Sequence, residues 1–203
     1  TPSPFGIAAG VVYGDGSLDS GKGAMIDLWG EKDAHLLRYF EGCQMGVCKK
    51  EETGLLGTRV RSLPASWKSL PELTEGNSYI YGWLAGYIAA DGSVSKQGAV
   101  ELFSADRAAL EHARVIATRL GIETMSLLTY SRKGIDGEYS DLHRLRFLAS
   151  SVPADLLVIP EHRARFEAAA QSQSPIRWRV ESVEALGAVE QVYCAVVPET
   201  ESL

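Results

Sequence analysis

The chain has 203 residues, 45% of them hydrophobic, which is enough to bury a core in one domain or in two small halves. It shows no apolar run long enough to cross a bilayer and no basic-then-apolar leader, so we expect a cytoplasmic protein with no membrane partner. Its net charge of −6 excludes a uniformly basic surface, and any nucleic-acid-binding surface must be a local patch.

The first predicted element is a helix over residues 5–16, FGIAAGVVYGDG, whose glycines fall four residues apart. At that spacing Gly6, Gly10 and Gly14 lie on one face, while the remaining faces are apolar, as in a buried helix. Glycine inside a helix costs about 1 kcal/mol relative to alanine, so a stripe of glycines indicates that another helix backbone approaches closely.

The partner helix is predicted at residues 81–92, YGWLAGYIAADG, where Gly82, Gly86 and Ala90 repeat the same spacing. Each stripe lets the opposing backbone come close, since small residues remove the side chains that would separate two helices. We therefore expect the two helices to pack on each other through their stripes.

Both predicted helices end in an aspartate followed by a glycine, at Asp15 and Asp91, and we expect these glycines to be left-handed helix terminators. A carboxylate at a helix C-terminus faces the negative end of the helix dipole. If the helices run parallel, the two carboxylates also lie close together, which favours a bound cation. The carbonyls of Gly14 and Ala90 would add hard oxygen ligands of the kind that Mg²⁺ takes with water and phosphates.

The elements after each helix follow one order, as expected for an internal repeat. A turn at residues 16–17 or 92–93 leads into a short strand, a helix, two further strands and a closing, mainly helical segment. In the first half these are predicted at residues 24–29, 32–40, 45–50, 57–63 and 64–71. In the second half they are predicted at residues 99–103, 105–120, 124–130, 142–148 and 161–171, with a polar hairpin at 132–140.

The last strand of each half carries two arginines two residues apart, which project from one face of the strand. These pairs are Arg59 with Arg61 and Arg144 with Arg146. One such pair is ordinarily a solvated sheet face, but two at equivalent positions favour a shared anionic ligand, since arginine suits bidentate contact with phosphate or guanine. Four further basic residues are predicted to extend two DNA-binding saddles: Lys49, Lys50, Arg132 and Lys133.

Residues 84–92, LAGYIAADG, closely resemble the signature of the LAGLIDADG homing endonucleases, and residues 8–16, AAGVVYGDG, form a looser second copy. The resemblance runs over residues 1–173. It implies an α+β fold of two pseudo-symmetric αββαββα-like repeats, residues 1–77 and 78–172, packed through the twin signature helices. Three strands are recognisable in each half, and the fourth is implied by the resemblance.

The activity that this resemblance implies is site-specific, metal-dependent hydrolysis of both strands of a DNA duplex across the minor groove. Asp15 and Asp91 would be the catalytic acids and would hold Mg²⁺ with the carbonyls of Gly14 and Ala90. We expect Mn²⁺ to substitute and Ca²⁺ to bind without supporting cleavage. Because the halves differ in sequence, a DNA-associated monomer acting on a long, non-palindromic target is expected.

Lysines often lie near the metal sites of this family, and Lys22 and Lys96 follow the two acids at short distance. Loop solvation is the simpler explanation for both. Two alternatives of other classes stay open: a catalytically inactive DNA- or RNA-binding module of the same fold, such as a regulator or a maturase, and a purely structural insertion. Retention of both acids favours the nuclease over the binding module, and the matched arginine pairs argue against the structural insertion.

The tail, residues 173–203, differs in character from the repeats, with two predicted strands joined by a turn at Gly187. It resembles the C-terminal strands of an intein Hint splicing domain, which implies an intein-encoded endonuclease whose partner would be the N-terminal half of that domain. No His-Asn terminus follows, and the chain starts at Thr1 where a splicing domain has a nucleophilic Cys or Ser. We therefore do not expect the chain to splice by itself.

Overall fold

The computed structural model describes residues 1–21, 23–133 and 138–170. Two blocks of elements follow each other in the same order, each with a long helix and a four-stranded antiparallel sheet. This confirms the predicted α+β architecture of two repeats. The predicted strands of the tail and Lys22 lie outside the described residues.

The first block consists of α1 (Pro4–Asp15), β1 (Ser17–Asp19), β2 (Gly23–Trp29), α2 (Gly30–Ala34), β3 (Gln44–Lys49) and β4 (Leu56–Leu63). Two 3-10 turns, Leu37–Phe40 and Ala65–Lys68, complete it. The second block consists of α3 (Asn77–Asp91), β5 (Gly92–Val94), β6 (Val100–Ser104), α4 (Arg107–Arg119), β7 (Leu128–Lys133), β8 (Tyr139–Phe147) and α5 (Pro160–Ala170). The strand orders, β1-β2-β4-β3 and β5-β6-β8-β7, are equivalent.

The fourth strand of each sheet is the one that directly follows the aspartate. The turns predicted at residues 16–17 and 92–93 are wrong, because β1 and β5 begin there and pair with β2 and β6. Three residues are too few to show an alternating pattern, so only the pairing with a neighbouring strand reveals them.

Three further boundaries differ from the sequence prediction. The helix predicted over residues 32–40 is split into α2 and a 3-10 turn, since so short a segment gains little from its own hydrogen bonds and follows the burial of Leu36 and Phe40. The strand predicted from residue 124 begins at Leu128, and Thr124 forms only an isolated bridge. Strands β7 and β8 extend into the predicted hairpin at residues 132–140.

The twin helices pack in parallel through their glycine stripes, as predicted. A Cβ atom added to Gly6 or Gly10 would lie less than 3.0 Å from a carbonyl oxygen of α3. One added to Gly86 would meet a carbonyl oxygen of α1 in the same way, and one added to Gly82 would meet that of the residue just before α1. Real Cβ atoms essentially never approach so closely, so any side chain at these positions forces the helices apart. The stripes therefore hold the two helix ends side by side.

Each sheet packs one face on the helices and turns the other outward. In β8 the alternation is regular: His143, Leu145 and Phe147 are buried, whereas Arg144 and Arg146 lie on the outer face. The outer faces of the two sheets carry the arginine pairs that the sequence singled out. None of the described helices is both long and apolar enough to span a bilayer.

Candidate active site and nucleic-acid interface

The two signature aspartates end adjacent, parallel helices. Asp15 is exposed and Asp91 is half-buried. A Cβ atom added to Gly14 would lie 2.5 Å from the Cβ of Ala90 and 3.0 Å from Oδ2 of Asp91. The missing side chain at Gly14 therefore lets the Asp91 carboxylate lie against the end of α1.

The glycines that follow the acids are not left-handed terminators, contrary to the sequence prediction. Gly16 (φ −80°, ψ 170°) and Gly92 (φ −93°, ψ 167°) are extended, because the chain continues directly into a strand. Glycine is needed here for space, since a Cβ at either position would meet a carbonyl oxygen of the preceding helical turn. The abrupt exit leaves the last helical carbonyls, those of Gly14 and Ala90, without intrahelical donors.

The donor set at the helix ends fits Mg²⁺. It consists of two carboxylates and two terminal carbonyls, all hard oxygen ligands. Within residues 1–21, 23–133 and 138–170, no three His, Cys, Asp or Glu side chains form a group that could hold a metal ion. A site completed by water and substrate phosphates is the way in which Mg²⁺ is usually bound, whereas structural zinc takes four protein ligands.

Lys68 is a half-buried lysine at the end of α1, and sequence reasoning missed it. It ends the 3-10 turn after β4, and its Nζ donates to the carbonyl oxygens of Val12, at 3.2 Å, and of Tyr13. Burial lowers the pKa of Lys68, while the negative charges of Asp91 and Asp15 oppose that shift. The lysine thus places a positive charge beside both acids.

The two lysines proposed from sequence differ from Lys68. Lys96 is exposed in the turn between β5 and β6, where Ser95 N donates to Ala99 O at 2.9 Å. Lys22 lies outside the described residues. The signal that could have identified Lys68 is the proline-bounded segment 64–71, whose Trp67 is buried against α1.

Aromatic side chains form the wall of the site beside the helix ends. The ring centroid of Tyr13 lies 4.9 Å from that of Tyr87 and 5.1 Å from that of Trp83. Burial raises the pKa of both tyrosine hydroxyls, and the Asp91 carboxylate contributes in the same direction. Both hydroxyls therefore stay neutral near neutral pH.

A cleft of about 570 Å³ connects Asp15 with the outer face of the first sheet. Its lining residues are Asp15, Ser17, Ile26, Asp27, Trp29, Asp33 and Ala90. The cleft joins the end of α1 to strand β2, so a ligand bound on the sheet can reach the Asp15 carboxylate.

In the first sheet, Arg59 forms a two-point ion pair with Asp27 across β2 and β4. Both carboxylate oxygens accept hydrogen bonds, at 2.6 Å, from Nε and Nη2 of the guanidinium. This interaction holds the pKa of the Asp27 carboxyl below its usual range. Arg61 is exposed beside the pair, next to Ser62, whose φ of 57° marks a bulge in β4.

In the second sheet, Arg144 and Arg146 share one carboxylate. Oε1 of Glu101 lies 3.0 Å from Nη1 of Arg144 and 2.6 Å from Nη2 of Arg146. The guanidinium carbon of Arg144 also lies 5.0 Å from the Tyr130 ring centroid. His143 is buried on the opposite face, where its Nδ1 hydrogen-bonds with Thr129 Oγ1 at 2.9 Å.

The remaining predicted DNA contacts divide between the two faces of the sheets. Strand alternation places Arg132 on the outer face of the second sheet, together with Arg144. In the first sheet, Lys49 lies on the face opposite Arg59. Lys133 also lies on the opposite face, with its Nζ 6.0 Å from the Tyr139 ring centroid. Lys50 is exposed and follows the end of β3.

Comparisons with known proteins agree with this geometry. Residues 78–151 match the family model described as a LAGLIDADG-like domain. No curated protein sequence matches the chain.

Solved structures share the fold at low sequence identity. I-DmoI in complex with DNA and Ca is 15% identical, with a TM-score of 0.53, over 81% of this chain and 98% of that one. An I-DmoI variant with its target DNA in the presence of Mg is 12% identical, with a TM-score of 0.50, over 84% of this chain and 97% of that one. Full-length DUF199/WhiA from Thermatoga maritima is 11% identical, with a TM-score of 0.52, over 87% of this chain and 63% of that one. Residues 78–151 are thus similar to the LAGLIDADG-like domain, and the fold of the described chain resembles that of the homing endonuclease I-DmoI.

Proposed function

We propose that the chain is a site-specific, metal-dependent endonuclease of the homing type, which cuts both strands of a DNA duplex. One observation carries this proposal: two aspartates end abutting parallel helices between two sheets whose outer faces carry arginines. Fold alone would not suffice, because I-DmoI and DUF199/WhiA resemble this chain equally in fold.

The residues of the chain divide the chemistry between them. Asp15 and Asp91, with the carbonyls of Gly14 and Ala90, would hold Mg²⁺. The ion, when bound, supplies Lewis-acid stabilisation and lowers the pKa of bound water. Lys68 adds a fixed positive charge beside both acids, where negative charge develops on the phosphate during hydrolysis. Tyr13, Trp83 and Tyr87 form the aromatic wall beside these groups.

DNA is the partner that this arrangement favours. Arginines on two outer sheet faces would bind the duplex on either side of the helix ends and set the minor groove across the two acids. I-DmoI was solved with DNA and Ca, and a variant of it with target DNA and Mg, which supports the same ligand classes here. One chain contains both repeats and both acids, so a monomer suffices. Since the two faces differ in sequence, the target would be non-palindromic.

The test is selection of bound sites from a randomised duplex pool, followed by incubation of the selected duplex with Mg²⁺, with Mn²⁺ or with Ca²⁺. We expect staggered double-strand cuts with Mg²⁺ and Mn²⁺ and binding without cleavage in Ca²⁺. Selection of a sequence that no metal ion allows the protein to cut would contradict the nuclease.

A catalytically inactive DNA- or RNA-binding module is the second candidate, and one asymmetry between the repeats argues against two equal nuclease sites. The turn that corresponds to Ala65–Lys68 in the second repeat, Ala149–Ser151, contains no lysine and is followed by the buried Val152. If each acid needs its own lysine, only one strand would be cut. A nicked product in Mg²⁺ would therefore indicate one competent site, and an intact duplex would indicate a binding module.

The intein connection is a separate proposal, which rests on the resemblance of residues 173–203 to Hint strands. It predicts that the genomic sequence on both sides of this reading frame encodes, in frame, a splicing domain and a host protein. Sequencing the flanks tests it, and flanks that encode neither would contradict it without affecting the endonuclease.

A further inference from the structure

Carboxylates of the same chain hold the arginines on the outer faces of both sheets. Asp27 lies directly across from Arg59 and accepts from its Nε and Nη2 at 2.6 Å each. Arg146 lies directly across from Glu101 and donates to Oε1 through the same two nitrogens, at 2.8 and 2.6 Å. Each carboxylate therefore engages the same edge of its guanidinium.

The other edge of each guanidinium remains for a ligand. A guanidinium carries five N–H groups in a fixed fork, of which each carboxylate uses the one on Nε and one of the two on Nη2, so that the second N–H of Nη2 and those of Nη1 remain. In the described part of the chain, no acceptor contacts Nη1 of Arg59 or of Arg146. That end of the fork can make the bidentate contact with O6 and N7 of a guanine that reads the major groove.

Glu101 is more deeply placed than a solvated surface carboxylate. Its side chain is 12% exposed, and Oε1 contacts both Arg144 and Arg146. Tyr130 packs against Arg144, whose guanidinium carbon lies 5.0 Å from the ring centroid. The carboxylate thus fixes two like charges side by side on one face of β8.

Carboxylates at these positions work against affinity for DNA, because they repel phosphates and cancel part of the basic charge. Their presence on both saddles is explained if they orient the arginines. An arginine held in one rotamer loses less conformational freedom on binding and presents its fork in a defined direction.

We propose that Asp27 and Glu101 are positioning residues for sequence recognition, each presenting an arginine for bidentate contact with a guanine. Asp27 acts in the half-site bound by the first sheet and Glu101 in the half-site bound by the second. This inference rests on the proposed DNA-binding function and identifies residues that set its specificity.

The test compares Asp27→Asn and Glu101→Gln with Glu111→Gln, each in the full chain. Glu111 is a matched control, because it too contacts two arginines, Arg107 and Arg114, but on the exposed surface of α4. All three variants remove one negative charge. Binding is measured in Ca²⁺ to the duplex that the wild type selects and to random duplex of equal length, between about 50 and 200 mM salt.

We expect both sheet variants to bind random duplex more tightly, with a salt slope steeper by about 1, since a released arginine can contact phosphate. The ratio of selected to random affinity should fall about ten-fold, the discrimination carried by one bidentate contact. Repeating the selection should show that each variant relaxes only its own half-site. Glu111→Gln should leave the ratio and the selected sequence unchanged.

Misfolding cannot mimic this result, because it would weaken binding to both duplexes together. Arg146→Lys supplies a second variant that keeps the charge and removes the fork, and it should also lose discrimination. Sheet variants that retain the wild-type ratio would overturn the inference. A wild type that prefers no sequence would overturn the proposed function, and the inference with it.

Discussion

The two repeats are alike where the helices meet and different where the chemistry and the DNA would be. Gly10 and Gly86 occupy equivalent places in one tight interface. Around that interface, however, a five-residue α2 and a 3-10 turn stand in the first repeat where the second has the thirteen-residue α4. The comparison teaches that close backbone contact restricts these positions to small residues, whereas the surrounding elements differ between the repeats.

The differences extend to charged groups. The first repeat pairs one arginine with Asp27, whereas the second pairs two with Glu101. The first repeat supplies Lys68, and the second has Val152 after the corresponding turn. The range that matches the family model, residues 78–151, lies within the second repeat, which carries the more regular signature.

The largest expected effect comes from the acids, which the proposed mechanism treats as equivalent. Asp15→Asn and Asp91→Asn should each slow double-strand cleavage by about 10²–10³-fold, the loss typical of removing one charge-stabilising group. Binding in Ca²⁺ to the selected duplex should stay close to wild type. Strand-resolved gels measure both reactions, and full double-strand cutting by either variant would contradict the roles assigned to the acids.

The helix interface should be equally intolerant from both sides. Gly10→Ala and Gly86→Ala each force a Cβ against a carbonyl oxygen of the opposing helix, and we expect a loss of about 3 kcal/mol in the free energy of unfolding. Gly46→Ala is the control, because a Cβ there meets nothing within 4 Å. Urea denaturation followed by circular dichroism gives the values. Unequal losses for the two glycines would break the symmetry claimed for this interface.

Lys68 offers a way to sharpen the contrast between the two active sites. Lys68→Met should reduce cleavage by about 10–10²-fold, the smaller effect expected for a group that acts beside the metal ligands. If one lysine serves one site, the loss should fall on one strand. Strand-specific rates measure this, and equal loss on both strands would mean that Lys68 serves both acids.

The lowered pKa of Lys68 also gives a pH dependence with a defined sign. Burial disfavours its charged form in the folded protein, so the unfolded chain binds more protons between the lowered pKa and the ordinary value of 10.5. Stability contributed by this residue should therefore rise with pH across that window. Thermal unfolding of the wild type and of Lys68→Met at several pH values measures this. The Tm of the wild type should rise relative to that of the variant as the pH increases across the window. A difference in Tm that does not change with pH would contradict the prediction.

The smallest expected difference lies between the two arginine arrangements. Arg59→Ala leaves Asp27 without its partner, whereas Arg146→Ala leaves Glu101 still paired with Arg144. Both should weaken DNA binding and lower the salt slope by about 1. Arg59→Ala should cost up to about 1 kcal/mol more, because its unpaired carboxylate then repels phosphate. Binding titrations at several salt concentrations compare the two, and equal losses would mean that Asp27 has no influence.

The sequence by itself determined the features with a local period or a repeated motif. The stripe around Gly10 and Gly86 predicted the helix pair, since close backbone approach needs small residues at that spacing. The two aspartates and the arginine pairs were recognisable because each occurs twice at equivalent positions. The order of the longer elements followed for the same reason.

Only the tertiary structure decided which groups meet. Lys68 reaches α1 because the turn after β4 packs on that helix, and Asp27 meets Arg59 because β2 pairs with β4 in one register. Neither contact has a signature in the chain, since both join residues more than thirty positions apart. The short strands β1 and β5 depended in the same way on a neighbouring strand. Long-range contacts are set by packing and register, which local periodicity does not encode.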